Sequence, residues 1–287
     1  MRSVLRGTPP GDYGWGMGID QLDGTTAIVT GGASGIGRAT CRALALNGSR
    51  VIVTDVDDVG GAAVAEEVGG DFHHLDVADP AAWAQALEAV GSVDIAFLNA
   101  GVTTLPPGSG LGTADTHLTS LREADYRRIM AINVDGVVFG ARAVAGPMAA
   151  RGRGVIVATA SLAGLIGFPP DPMYAVTKHA VIGLVRSIGA QLAPDGVSVH
   201  AICPGITDTA ILADEAKLGL REVGFPIMPP EQIAEAVLHA IRSADTGVAW
   251  VCQAGRGPIA FEFRQVPGPR MDDGSAPAPP PEVAGNR

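Results

Sequence analysis

Cysteine is scarce: Cys41, Cys203 and Cys252 are the only three in 287 residues. An odd set with no Cys-x2-Cys spacing excludes a disulfide framework and a zinc site. Lysine is scarcer, with only Lys178 and Lys217. Lys+Arg total 20 against 30 Asp+Glu, a formal charge of −10. A general nucleic-acid binder would need a basic footprint, so no nucleic-acid partner is expected. The uncharged stretch 154–170 is interrupted by Thr159, Ser161, glycines and prolines. It falls short of the ~20 mostly apolar residues of a membrane helix, and the first 18 residues hold no signal-peptide core. The expectation is a soluble, cytoplasmic protein with no membrane partner. Charged residues are only 17%, whereas hydrophobic residues reach 47%, enough for a sizeable core and too many for global disorder.

What is plentiful is glycine, 39 residues, and a regular alternation that begins at Thr25. Short β-branched runs (25–30, 50–55, 71–76, 93–99, 154–161, 197–203 and 247–253) alternate with Ala-rich stretches (35–47, 59–68, 80–90, 121–149, 173–193 and 230–243). Most of the runs are continuously apolar, which fits strands buried on both faces, and the longer stretches fit helices. Asp79-Pro80 reads as a helix start, and Asn47-Gly48 and Asp195-Gly196 as exits. The expected fold is α/β: a doubly wound, Rossmann-type parallel sheet of about seven strands, with helices on both faces, in one domain. Its expected span is 23–253. Residues 1–22 read as an irregular leader, and 254–287, with its Pro-rich runs, as an extended or disordered tail.

Thr30-Gly31-Gly32-Ala33-Ser34-Gly35-Ile36-Gly37 joins the first strand to the first helix. Glycines let the backbone turn and approach closely, and a helix N-terminus offers free N–H groups to a pyrophosphate. The spacing alone is weak, being expected by chance about 0.7 times in a chain this rich in glycine. Its position and Asp55, at the end of the second strand, make it a dinucleotide fingerprint. Asp55 would accept hydrogen bonds from ribose hydroxyls and repel a 2′-phosphate, and Ala33, Ser34 and Val56 offer no offsetting cation. NAD is therefore expected over NADP. The alternative role for Asp55 is a helix N-cap, which Asp57 or Asp58 could equally supply.

Tyr174-Ala-Val-Thr-Lys178 is more specific. With three tyrosines and two lysines in the chain, a Tyr-x3-Lys pair arises by chance with a frequency of only about 0.02. On a helix the two share a face. An ammonium favours a neighbouring phenolate, and bringing a tyrosine near neutrality requires about 3 units, or ~4 kcal/mol. Ser161 follows the strand 154–160.

Taken together, these residues resemble the short-chain dehydrogenases/reductases over about residues 24–253. The resemblance is carried by the TGGASGIG loop, Asp76, Asn99-Ala100-Gly101, Asn133 in AINVDG, Ser161, YAVTK, and Pro204-Gly205-Ile206-Thr207-Asp208-Thr209. It implies an NAD-dependent oxidoreductase that interconverts a secondary alcohol and a ketone. Tyr174 would be the general acid/base, and Lys178 would lower its pKa and hold the nicotinamide ribose. Ser161 would hydrogen-bond the substrate oxygen. Asn133 would anchor a proton-relay water through a local helix distortion. Gly31, Ser34, Gly35, Ile36, Gly37 and Asp55 would cradle the pyrophosphate and adenosine ribose. Asp76 and Val77 would contact the adenine, with Asn99, Ala100 and Gly101 at the ribose. Pro204, Gly205, Ile206 and Thr209 would cover the nicotinamide. A homo-oligomer, tetramer or dimer, is implied through helices 121–149 and 173–193, where Gly183, Gly189 and Ala190 would allow close approach.

The chain departs from the pattern in a long 102–120 segment and in a C-terminus without the usual glycine-rich ending, which puts tetramer contacts there in doubt. His73 and His74 point to opposite faces of a strand, so no metal site is expected. His179 reads as a surface or interface residue, and Cys203 as inert packing. A lid at about 206–228 and a wall at 162–173 are mostly apolar and hold no arginine cluster, which suggests an apolar alcohol or ketone. The competing readings are an NADPH-dependent carbonyl reductase, a non-catalytic NAD-binding regulator on the same fold, and a scaffold acting through the proline tail.

Overall fold

The central apolar runs become strands because each presents both faces to packed helices. In a computed structural model of the chain, residues 18–104, 117–264, 270 and 272 are described. The leader through residue 17, most of the 102–120 segment and most of the Pro-rich tail, Pro267 to Pro269 included, lie outside them. Strands β1 (Thr26–Thr30), β2 (Arg50–Asp55), β3 (Asp71–His74), β4 (Ile95–Leu98), β5 (Gly154–Thr159), β6 (Val197–Pro204), β7 (Val248–Cys252) and β8 (Ile259–Ala260) form one sheet in the order 3-2-1-4-5-6-7-8. All pairings through β7 are parallel.

Two apolar cores flank the sheet. On one face Ile28, Leu98, Ile156 and Val199 meet α3 (Pro80–Val90), α5 (Gly136–Arg151) and α6 (Pro172–Leu192) through Trp83, Val144 and Val181. On the other, Val29, Val53, Phe97 and Ile202 meet α1 (Gly35–Leu46), α2 (Asp58–Val68) and α8 (Pro230–Arg242) through Leu44, Val64 and Ile233. The expected doubly wound architecture is therefore present. The sheet order reverses at β1, which lies between β2 and β4, and this places a crevice beyond the carboxyl ends of β1 and β4.

Three features differ from the sequence expectation. The single helix expected over 121–149 is α4 (Glu123–Met130), a π-helical turn (Ala131–Asp135) and α5. Residues Glu123–Arg151 are also long and apolar enough by composition to cross a bilayer. Here Val137, Ala141, Val144 and Met148 are instead packed on the sheet. The lid contains a helix, α7 (Asp214–Glu222). The sheet also continues past residue 253. Ile259 and Ala260 pair antiparallel with β7, and Phe261 and Phe263 pack on the first core, with the Arg186 guanidinium 3.9 Å from the Phe263 ring centroid. Proline content hid this, because the apolar Ile-Ala-Phe-Glu-Phe run precedes the Pro-rich part.

Trp83 joins the core to the crevice. It is 1% exposed, and its Nε1 donates to the Val77 carbonyl at 3.1 Å. Trp83→Ala is expected to cost about 3–5 kcal/mol, lowering the calorimetric melting midpoint by about 6–20 °C. A drop under about 2 °C would show that the core collapses around the vacancy.

Candidate active site

The glycine loop is built by backbone needs. Gly31 and Gly35 take φ of +64° and +49°, where a side chain is strained. A Cβ on Gly37 would sit 1.9 Å from the Gly31 carbonyl oxygen, so the first turn of α1 lies directly against the loop. Ser34 is the N-cap residue of α1 but makes no side-chain cap bond, and the first turn holds no acidic residue. A helix N-terminus left open in this way fits a dinucleotide pyrophosphate.

Asp55 faces the loop. Its Oδ2 accepts from Ala33 N at 3.0 Å, and its Oδ1 accepts from Val56 N and Asp57 N at 2.8 and 3.1 Å. The α2 N-cap is Asp57, which accepts from Gly60 N, so that role does not fall to Asp55. Asp76 Oδ1 accepts from Ala78 N at 2.9 Å. The Val77 side chain is buried in the core against Gly136, which leaves the backbone as the part it could offer a ligand.

A hydrogen-bond chain crosses three strands from the loop to α6. The Thr30 hydroxyl accepts from Asn99 N (2.8 Å) and Ala100 N (3.0 Å), and Asn99 Nδ2 donates to Thr30 O (3.1 Å). Thr159 Oγ1 donates to Asn99 Oδ1 (3.0 Å), and Lys178 Nζ donates to Thr159 O (2.8 Å). Thr30 entered the sequence reading only as the first residue of the glycine loop and Thr159 not at all, because the partners that give them this role lie 60–70 positions away.

Tyr174 and Lys178 sit on one face of α6, with Nζ 5.5 Å from the phenol ring centroid. Ser161 caps the short 3-10 turn Leu162–Gly164 by accepting from Ala163 N, and its hydroxyl lies near enough to the phenol to lower its pKa. Phe168 packs edge-on against the Tyr174 ring at 6.2 Å. Burial pushes the phenol up to about 12; the Ser161 hydroxyl opposes this and the Asp171 charge adds to it. Burial also lowers Lys178 to about 8. The ammonium is turned to a carbonyl, and burial of the phenol dominates.

Asn133 lies in the π-helical turn, where a helix distortion was expected. Its Oδ1 accepts from Val102 N, and its Nδ2 donates to Val102 O, each at 2.8 Å, and to Thr177 Oγ1 at 3.1 Å. Gly101 lies beside both groups: a Cβ there would be 3.4 Å from Asn133 Oδ1 and from Lys178 Nζ. Across the crevice, Gly205 N donates to Cys252 O, and the Thr209 methyl would be 3.2 Å from a Cβ on Gly35. Pro204 ends β6, and the Ile206 carbonyl accepts from Met228 N, which pins the two ends of the lid together. Asp208 pairs with Lys217 (2.9 Å) and Arg221 (3.0 Å) of α7.

Other expectations fall differently. Gly189 serves this chain's own packing: a Cβ there would be 2.6 Å from Gly247 N, so it is not free for a neighbouring subunit, whereas Gly183 meets nothing within 4 Å. His74 pairs with Asp58, and exposed His179 bonds the Ala175 carbonyl of its own helix. Burial pushes the Cys203 thiol up to about 12, which makes it unreactive. One residue passed over in the sequence is Asp171, whose Asp-Pro pair repeats the helix-start signal seen at Asp79-Pro80.

Residues 25–217 match the family model for short chain dehydrogenase. A 2,5-dichloro-2,5-cyclohexadiene-1,4-diol dehydrogenase of Sphingobium indicum is 36% identical over 83% of this chain and 98% of its own length. A 3-alpha-(or 20-beta)-hydroxysteroid dehydrogenase of Mycobacterium bovis is 36% identical over 66% of this chain and 71% of its own. A crystal structure of a short-chain type dehydrogenase/reductase from Mycobacterium marinum superposes with a TM-score of 0.71 at 28% identity, covering 82% of this chain and 97% of that one. With the doubly wound sheet and the glycine loop at its switch point, these similarities make the chain a member of the short-chain dehydrogenases, oxidoreductases that act on CH–OH groups with a nicotinamide cofactor.

Proposed function

We propose that the protein is an NAD-dependent dehydrogenase that interconverts an apolar secondary alcohol and its ketone. The observation that carries the reading is that Tyr174 and Lys178 share one face of α6, next to Ser161 at the carboxyl end of β5, to whose Thr159 carbonyl Lys178 Nζ donates. Gly31, Ser34, Gly35, Ile36 and Gly37 would hold the pyrophosphate, and Asp55 the adenosine ribose. Asp76, the Val77 backbone and Asn99 to Gly101 would line the adenosine. Pro204, Gly205, Ile206 and Thr209 would face the nicotinamide ring, which when bound takes or returns a hydride. Tyr174 takes the substrate hydroxyl proton in oxidation and returns it in reduction. Ser161 orients the substrate oxygen, Lys178 holds positive charge beneath the phenol, and Asn133 steadies the chain at Val102.

The apolar preference rests on the lid and wall segments, where Ile211, Leu218 and Phe225 of 206–228 and Ile166 of 162–173 are exposed. The names of the two relatives, a ring diol and a hydroxysteroid dehydrogenase, are in keeping with it. Residues 206–228 would act as the lid over a single domain, and the Pro-rich residues beyond 264 as a tail. A homodimer or tetramer through the outer faces of α5 and α6, with Val138, Val176 and Gly183 exposed there, completes the reading. The three buried, unpaired cysteines suit the cytoplasm.

The test is nicotinamide reduction, followed by absorbance, with NAD and a panel of cyclohexanol, 1-phenylethanol and a 3-hydroxysteroid. Turnover of one or more supports the reading. Tight NAD binding with no turnover of any, or of charged sugar phosphates added to the panel, would favour the regulator. Faster ketone reduction with NADPH would favour the reductase.

A further inference from the structure

Asp171 is a buried carboxylate, 1% exposed, that the mechanism above does not use. Its contacts run in two directions. Its Oδ1 accepts from Tyr174 N at 2.9 Å, capping α6. The same oxygen accepts from the Thr104 hydroxyl at 2.5 Å, and Oδ2 accepts from Thr104 N at 2.9 Å. Three donors offset the cost of burying the charge. Residues 102–104 are the chain leaving the crevice after β4. They are held at Val102 by Asn133 and at the Thr103 and Thr104 carbonyls by Arg128 Nη2 (3.0 and 3.1 Å). Tyr174 is gripped at its other end as well, because its carbonyl accepts from Thr177 Oγ1, which also accepts from Asn133 Nδ2.

We infer that Asp171 is a positioning residue: by tying Thr104 to the first turn of α6, it fixes the phenol of Tyr174 relative to the cleft wall formed by 102–104. An N-cap alone needs one acceptor aimed at Tyr174 N, which serine supplies as well. The two further bonds to Thr104 are what a cap does not require. They join the chain leaving the crevice at 102–104 to the turn that carries Tyr174, so a slip of either shifts the acid/base. This inference rests on the reading of Tyr174 as that group.

The test compares Asp171→Ala, Asp171→Ser and Thr104→Val with Tyr174→Phe in the full chain. Amide hydrogen exchange, which needs no substrate, is expected to show Thr104 and Tyr174 both losing protection in Asp171→Ala. In Asp171→Ser only Tyr174 should regain it. Turnover of the fastest alcohol of the panel should fall about 10–100-fold in Asp171→Ala and several-fold in Thr104→Val, with the calorimetric Kd for NAD changed less than about threefold. Asp171→Ser should recover the melting midpoint without recovering kcat, a split that a purely structural cap would not produce. Full kcat in Asp171→Ser, or Thr104 protection untouched in Asp171→Ala, overturns the inference while Tyr174→Phe stays inactive. An active Tyr174→Phe removes the acid/base reading instead.

Discussion

Tyr174→Phe is expected to lower turnover about 10²- to 10⁴-fold while leaving NAD binding within about threefold of wild type. Phenylalanine keeps the ring that packs against Phe168 and loses only the hydroxyl. The pH dependence follows from the same group. Oxidation needs the phenolate as acceptor, and reduction needs the phenol as donor. With burial holding the phenol near 12 in the chain alone, oxidation should rise with pH across the neutral and alkaline range, while ketone reduction should stay level until the pH approaches that value. Positive charge supplied at the site brings this limb down towards neutrality. Lys178→Met should therefore move the rise in oxidation to higher pH. Steady-state pH profiles of wild type and both variants check the set; a Tyr174→Phe enzyme within tenfold of wild type would remove the phenol from the mechanism.

Asp55→Ala should change the NAD-to-NADP preference by about 10²- to 10³-fold. Two effects add. The lost carboxylate forfeits a hydrogen bond from a ribose hydroxyl, worth ~1.5–3 kcal/mol to a charged acceptor. It also removes a like-charge repulsion of the 2′-phosphate, about 1 kcal/mol at 4 Å even in water. Together ~2.5–4 kcal/mol corresponds to that ratio. Asp55 also receives Ala33 N, so its loss could simply loosen the glycine loop. The two cases separate by calorimetry: a loosened loop weakens both cofactors, whereas relief of repulsion strengthens NADP. Equal NADP and NAD affinity in the wild type would refute the assignment outright.

The chain could be read this far because its decisive signals are local. Continuous apolar runs such as Val51-Ile-Val and Val155-Ile-Val mark two-sided burial. Tyr174 and Lys178 are four apart on one helix, so spacing alone puts them on one face. What escaped depends on contacts across the sheet. Thr159 looks like an ordinary strand residue, and Thr30 like the mere start of the glycine loop, until Asn99 joins them. Asp171 shows only its capping half in sequence, because Thr104 lies 67 positions away. The rise of the Tyr174 pKa depends on burial, which spacing does not report. Gly189 looked like a helix-contact residue because small size says nothing about which neighbour fills the space.

The short β8 has a practical consequence for how the chain can be trimmed. Ending it at Gln253, where the regular alternation of strands and helices stops, would strip the antiparallel partner from Trp250 and Val251. Trp250 and Val251 would then lie unpaired on that side at the margin of the sheet, ready to template β-addition by another molecule. It would also take away the ring against which Arg186 lies. Ten further residues carry the backbone through Phe263 and keep that margin sealed, so the stretch that looks most dispensable serves as the protein's protection against self-adhesion.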